Sequence, residues 1–320
     1  MDLWMNSLGH NQCFFNLIAK RSKTLQQKKN IIMKRKALLI GSPGSPFLNG
    51  VELDIKNVAN FLKSSNGGSW KSSEIIITKY DPSFAEVEKH LIAFENLDFS
   101  FVYYSGHGYT DHNGIGHVNL NSMHRPSIDQ FENRARRQIT IIDACRGYSE
   151  YASFDGLAAP AIDIIPFDYE KPESSRIIFD NYLRSCARGS VLLHAAQKGQ
   201  NAQDTNMGGY FSSNLLMATL KLVRETSNPV VIVKEIFHQA YTLTKDKHQP
   251  EITYTDSNAL QLPFAIKSNL YSYENLTERK LTSAKSVNNN PWGTVLKVGA
   301  FAGIAYLIGK ILWRKQDKKK

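Results

Sequence analysis

The sequence predicts an α/β fold with a mainly parallel central sheet of about six strands and helices on both faces. Three observations lead there. From Ala37 onward, apolar runs of strand length alternate with amphipathic helical stretches. The strand runs are continuously apolar rather than alternating in polarity, as in strands covered on both faces. Two of them, Phe101–Gly108 (FVYYSGHG) and Ile139–Gly147 (ITIIDACRG), break into glycine and polar residues. Each break delivers one reactive side chain, His107 in the first and Cys145 in the second.

In chain order, Ala37–Ile40 is the first strand, closed by a loop with Gly41, Pro43, Gly44 and Pro46. Val51, Ile55, Val58, Phe61 and Leu62 recur at helical spacing, and Gly67-Gly68 ends that helix. Glu74–Thr78 is the second strand. Ser83 is placed to cap a helix that reaches about Phe94, with Glu86 as its capping-box partner. Phe99–Tyr104 and Gln138–Ile142 are the third and fourth strands, separated by a polar loop with a helix near Ile128–Arg136. Residues 146–189 read as a long irregular insert, of the kind that is usually functional. Ser190–Ala196 is the fifth strand and is followed by a polar, glycine-rich loop. Helices are expected at Ser212–Leu222 and Val230–Thr244, and a sixth strand at Leu260–Ala265.

The domain boundaries follow from charge and composition. The chain has 320 residues and a net charge of +10. Residues 1–36 carry +7, residues 297–320 carry +6, and residues 37–296 carry −3. The basic excess is therefore in the tails, which suits an anionic membrane surface. No recognition motif supports a nucleic-acid partner. The expected organisation is a basic extension over 1–36, a domain over 37–270, a linker over 271–291, a transmembrane helix over 292–313 and a basic tail over 314–320. Three cysteines, Cys13, Cys145 and Cys186, make no disulfide framework and leave Cys145 as a thiol.

Ligands of parallel sheets bind at the carboxyl ends of strands. If the third and fourth strands are neighbours, His107 and Cys145 face one cleft. A thiol attacking a carbonyl needs an acid/base group, and His107 is the candidate. The oxyanion needs backbone donors, and the N–H groups of Gly108 and Cys145 are the natural pair. Taken singly, a cysteine after a buried strand is most often inert, and a histidine beside glycine is often a turn residue. The pair at adjacent strand ends outweighs both ordinary readings.

SGHG at 105–108 and DACRG at 143–147 resemble the caspase/metacaspase superfamily of cysteine peptidases. So do the LxGxxxD pattern Leu48–Asp54 and GGYFSSNLL at 208–216. The resemblance runs from about Lys36 to Ser268 and implies a caspase-like fold. Its departures imply a subgroup. Leu48 stands where animal caspases carry an arginine, and Asp143 precedes Ala-Cys as in metacaspases. In that group Asp54, Ser105 and Asp143 line an S1 pocket for Arg or Lys at P1, where carboxylates pair with a cation and repel an acidic side chain. The ordinary alternative is that Asp54 pairs locally and Asp143 orients its loop. Calcium activates many metacaspases through clustered aspartates. Asp155, Asp163 and Asp168 are scattered, so no metal site and no cofactor are assigned. Lys171, Arg176, Arg184 and Arg188 of the insert are candidate self-cleavage positions.

The resemblance thus implies a cysteine endopeptidase acting on protein or peptide substrates after Arg or Lys. The alternatives are a catalytically silent caspase-like scaffold and a clan member dedicated to a single substrate. Residues 292–313 (WGTVLKVGAFAGIAYLIGKILW) are long enough as a helix to cross a bilayer. Lys297 and Lys310 lie near its two ends, where they can snorkel, and Trp292 and Trp313 close it. Gly299 and Gly303 form a GxxxG that allows helix-mediated self-association. The protein is therefore expected at a membrane, with its peptidase domain in the cytoplasm.

Overall fold

A computed structural model describes residues 33–267 apart from 79, 133, 149–166, 170–171 and 206–207. The predicted amino-terminal extension up to residue 32, the linker, the membrane span and the basic tail lie outside the described residues. Among the described residues no helix is long and apolar enough to cross a membrane.

The core of residues 35–267 is a six-stranded sheet. Its strands are β1 (Arg35–Ser42), β2 (Ile75–Ile77), β3 (Phe99–Gly106), β6 (Arg137–Asp143), β7 (Gly189–His194) and β11 (Glu251–Tyr254), in the order β11-β7-β6-β3-β1-β2. All neighbours are parallel except β11 with β7. β1 is followed by β2 on one side and β3 lies on its other side. The strand order therefore reverses between β1 and β3, where a crevice opens at the strand carboxyl ends.

Residue alternation along the strands divides two apolar layers. On one face Leu38, Ile40, Val102, Tyr104, Ile142 and Leu192 pack with helix α2 (Phe84–Ala93) through Val87 and Leu91. Ser83 caps this helix, accepting the Glu86 N–H at 3.2 Å. The hairpin β4 (Gly108–Thr110) and β5 (Gly116–Val118) contributes Val118 to the same layer. On the other face Phe101, Tyr103 and Ile141 meet α1 (Val51–Lys63) and α4 (Tyr210–Glu225) through Phe61 and Leu215.

Five elements differ from the sequence expectation. The helix expected near Ile128–Arg136 is one 3-10 turn, Ile128–Phe131, because only its two apolar ends find the core. The insert contains a helix, α3 (Pro172–Ser185), and its Pro172 stands in the first turn, where a missing N–H costs nothing. The stretch Val230–Thr244 splits into strand β10 (Val230–Ile232) and helix α5 (Val233–Thr244). The Leu260–Ala265 region becomes β12 (Pro263–Ile266), which pairs antiparallel with β10 outside the main sheet. β11 takes the sixth place instead, and its half-exposed sequence EITY carries no apolar run.

Charge holds the middle of α3 against β1 and Glu74. Arg35, fully buried, lies 3.0 Å from Asp180 Oδ1 and donates to the Gly68 carbonyl at 2.7 Å. Its guanidinium also stacks 4.6 Å from the Trp70 ring. Arg176 pairs with Glu74 and Asp180. Two of the basic residues suggested as self-cleavage positions, Arg176 and Arg184, thus lie inside a helix.

Candidate active site

His107 stands two residues beyond the last register pair of β3 and β6, Ser105↔Asp143, and Cys145 stands two beyond it on the neighbouring strand. Adjacent strands are about 4.8 Å apart, so the two side chains leave the sheet at one edge. The following loops touch. A side chain added at Gly108 would come within 2.9 Å of Ala144 Cβ and the Cys145 carbonyl. Thr110 closes the contact, donating its N–H to Gly147 and its hydroxyl to the Arg146 carbonyl, both at 2.8 Å. The two residues expected to donate to an oxyanion, Gly108 and Cys145, are therefore brought together.

The His107 ring is held from the β1 side of the crevice. Its Nε2 lies 2.7 Å from the Pro46 carbonyl. A carbonyl only accepts, so Nε2 carries the proton and Nδ1 is the basic nitrogen of the neutral ring. Its backbone is fixed too, for the His107 carbonyl accepts from the Tyr104 hydroxyl at 2.8 Å and the Asn119 N–H at 2.9 Å. Cys145 is half-buried and its thiol donates to the Ala202 carbonyl at 3.4 Å. Burial pushes that thiol up to about 11, and the charges of Asp143 and Asp204 push the same way. The resting group is a thiol. Arg146, the next residue, pairs with Glu251 of β11, which ties the cysteine loop to the sheet edge.

The three residues expected to form a pocket also converge. Asp54, one turn into α1, accepts the Ser105 hydroxyl at 2.7 Å and the Gly209 N–H at 3.0 Å. Asp143 accepts the Ser212 N–H at 3.0 Å. Both aspartates are buried, at 3% and 5% exposure, too little for solvent to carry their charge. The strands β8 (Asp204–Thr205) and β9 (Gly208–Gly209) lie directly over them. A side chain at Gly208 would overlap the Asp54 carboxylate and one at Gly209 the Asp143 carboxylate, so only glycine lets the backbone come this close. Burial raises both carboxyl pKa values, Asp143 to about 6; the charge of Asp143 raises Asp54 further.

Sequence reasoning missed Asp204. Its charge is felt by Asp54, Asp143 and Cys145, the His107 charge acts on it in turn, and its Oδ2 is buried with no hydrogen-bond partner among the described residues. The signal was available in principle: an acid in a glycine-rich loop at the carboxyl end of a central strand. Among the described residues no group of three or more His, Cys, Asp or Glu is placed to hold a metal ion.

The family model of the caspase domain, Peptidase_C14, matches residues 34–256. The chain belongs to the caspase-domain family. The family is one of cysteine peptidases, and the six-stranded, mostly parallel sheet with helices on both faces is its caspase-like fold in this chain. Two solved structures are similar to this caspase-domain protein. One is a crystal structure of a protein from Geobacter sulfurreducens, at 14% identity over 73% of this chain and 100% of that one, with a TM-score of 0.47. The other is caspase-1 from Spodoptera frugiperda, at 12% identity over 69% of this chain and 86% of that one, with a TM-score of 0.43. No curated protein matches the chain.

Proposed function

We propose that this caspase-domain protein is a metacaspase-like cysteine endopeptidase that hydrolyses peptide bonds after Arg or Lys, with Cys145 as nucleophile and His107 as acid and base. The observation that carries the reading is the pairing of two features. The histidine and the thiol leave adjacent strand ends, and beside them lie two buried carboxylates that, among the described residues, form no ion pair with Lys or Arg. A cation supplied by the substrate would complete that pocket.

In this mechanism Nδ1 of His107 takes the Cys145 proton as the sulfur attacks the scissile carbonyl. The backbone N–H groups of Gly108 and Cys145 hold the oxyanion. The imidazolium returns its proton to the leaving amine, and water then cleaves the thioester with His107 as base. Asp54, Ser105 and Asp143 fix the P1 side chain. The raised thiol keeps the nucleophile protonated until substrate and histidine align. No cofactor takes part in a chemical step.

Fluorogenic peptides ending in Arg, Lys or Asp, with and without calcium, test this. Wild type should cleave after Arg and Lys only, and Cys145→Ala should lose at least about a thousandfold in rate. Cleavage after Asp would overturn the pocket assignment. Absence of any cleavage would favour the silent scaffold or a single dedicated substrate.

We also propose that residues 292–313 anchor the protein in a membrane with the peptidase domain on the cytoplasmic side, and that Gly299 and Gly303 allow the anchors to associate. The support is the length of the apolar run, its end-placed lysines and its terminal tryptophans. Deleting 292–320 should move the protein from the membrane pellet to the supernatant in detergent-free fractionation. Retention in the pellet would place the anchor elsewhere.

A further inference from the structure

Asp204 is an acid of the active site that the mechanism above leaves unused. It belongs to β8, where its register partner is Gly209. Gly209 is wedged between the two pocket acids. Its N–H lies 3.0 Å from both carboxylate oxygens of Asp54, and a side chain on it would stand 2.2 Å from Asp143 Oδ2. Antiparallel partners are about 5 Å apart, so the pairing carries Asp204 to the edge of the two acids. The same segment begins at the nucleophile, for the Ala202 carbonyl accepts the Cys145 thiol at 3.4 Å. Residues 202–204 therefore run from the sulfur to the pocket acids. Two residues of chain span at most about 7 Å. A P1 side chain, leaving a carbonyl that sits at the sulfur, covers that distance with the long stem of lysine or arginine.

The supply of donors separates the three acids. Both Asp54 oxygens already take the Gly209 N–H, and one takes the Ser105 hydroxyl as well. Asp143 Oδ2 takes the Ser212 N–H. Asp204 Oδ1 lies against the backbone of Gly50, the N-cap of α1, where a side chain would come 2.3 Å from it. Asp204 Oδ2, however, is buried with no hydrogen-bond partner among the described residues. A buried carboxylate oxygen without a donor is costly, and a guanidinium or ammonium brings the donors it lacks. Exposure sets the order of encounter. Asp54 and Asp143 are 3% and 5% exposed, whereas Asp204 is half-buried, so an entering cation meets Asp204 first.

We propose that Asp204 is a specificity residue of the P1 pocket, its Oδ2 accepting a hydrogen bond from the substrate guanidinium or ammonium beside Asp54 and Asp143. This rests on the Arg/Lys reading of the pocket. Charge balance agrees with it. The His107 charge also acts on Asp204. Once the histidine has taken the thiol proton, three carboxylates face two cations, the imidazolium and the P1 side chain.

The test is a double-mutant cycle between enzyme and substrate. Peptides ending in Arg are compared with peptides ending in citrulline, which has nearly the same shape and no charge. Asp204→Asn in the full chain keeps an oxygen against Gly50 and removes the negative charge. Wild type should prefer Arg by at least about a hundredfold in kcat/KM. In Asp204→Asn that preference should fall by about ten- to a hundredfold, through KM for the Arg peptide, while kcat/KM for the citrulline peptide changes less than about threefold. A role confined to holding the start of α1 would lower both peptides equally. An equal fall, or an Arg preference that the variant leaves intact, would overturn the role of Asp204 and leave the pocket reading standing. Wild type without a preference for Arg over citrulline would refute the pocket reading, and the role of Asp204 with it.

A second measurement needs no variant. A peptide aldehyde ending in arginine adds to Cys145 as a thiohemiacetal, the sulfur bonding the carbonyl carbon and the thiol proton passing to its oxygen. In a crystal structure of that adduct of the full chain, a guanidinium nitrogen should lie within about 3.2 Å of Asp204 Oδ2. A guanidinium held by Asp54 and Asp143 with Asp204 untouched would overturn the proposal.

Discussion

Pro46 and Gly44 set the orientation of His107 from opposite requirements. Pro46 offers a carbonyl at 2.7 Å that fixes which ring nitrogen is protonated. Gly44 offers emptiness, for a Cβ there would stand 2.7 Å from His107 Cδ2. Gly44 also has φ +58, in the left-handed region that disfavours a side chain by about 1–2 kcal/mol. Gly44→Ala should therefore act twice. The domain should lose stability by about that amount, and the ring should be pushed off the Pro46 carbonyl. A displaced catalytic base costs on the order of 10²-fold. We expect kcat to fall between about ten- and a hundredfold with KM nearly unchanged, because Asp54, Ser105 and Asp143 lie on other segments. Steady-state kinetics at saturating Arg peptide checks this, and an unaltered kcat would mean that His107 tolerates another orientation.

At the scale of elements, what the sequence made legible tracks burial. β1, β3, β6 and β7 are apolar on both faces, so their runs stand out without knowledge of their partners. His107, Cys145 and Asp143 were legible because they sit in or beside those buried runs and in motifs with fixed spacing, and Asp54 through its motif alone, in the first turn of α1. β11 was not legible, since a half-exposed edge strand of four residues leaves no periodic signal. α3 was hidden by Pro172, which marks a loop in one context and a first helical turn in another. Asp204 was hidden for a different reason. Its importance lies in the pairing of β8 with β9, which carries it beside Gly209 and so toward Asp54 and Asp143.

At the scale of the whole molecule, the buried pair Asp54 and Asp143 costs stability when both carboxylates are charged. Asp143 is raised to about 6 in the folded protein, against about 3.9 in an unfolded chain. The folded state therefore holds protons more tightly than the unfolded one between those values. The sign follows directly. Stability is greatest below the unfolded value and is lost as pH rises through the folded one, when two buried carboxylates must carry charge side by side. The cost at pH 8 is on the order of 1–3 kcal/mol. Asp143→Asn removes it, and its amide oxygen can still accept the Ser212 N–H. We expect its melting temperature to exceed that of wild type at pH 8 by several degrees, at about 2–4 °C for each kcal/mol. The two should converge by pH 4, and cleavage after Arg should fall by at least about a hundredfold. Calorimetry of the two proteins from pH 4 to 8 reads the difference. An Asn variant less stable than wild type at pH 8 would mean that the carboxylate is held by favourable contacts stronger than its repulsion from Asp54. The pair would then be a structural clamp rather than a pocket kept under electrostatic strain for a cation.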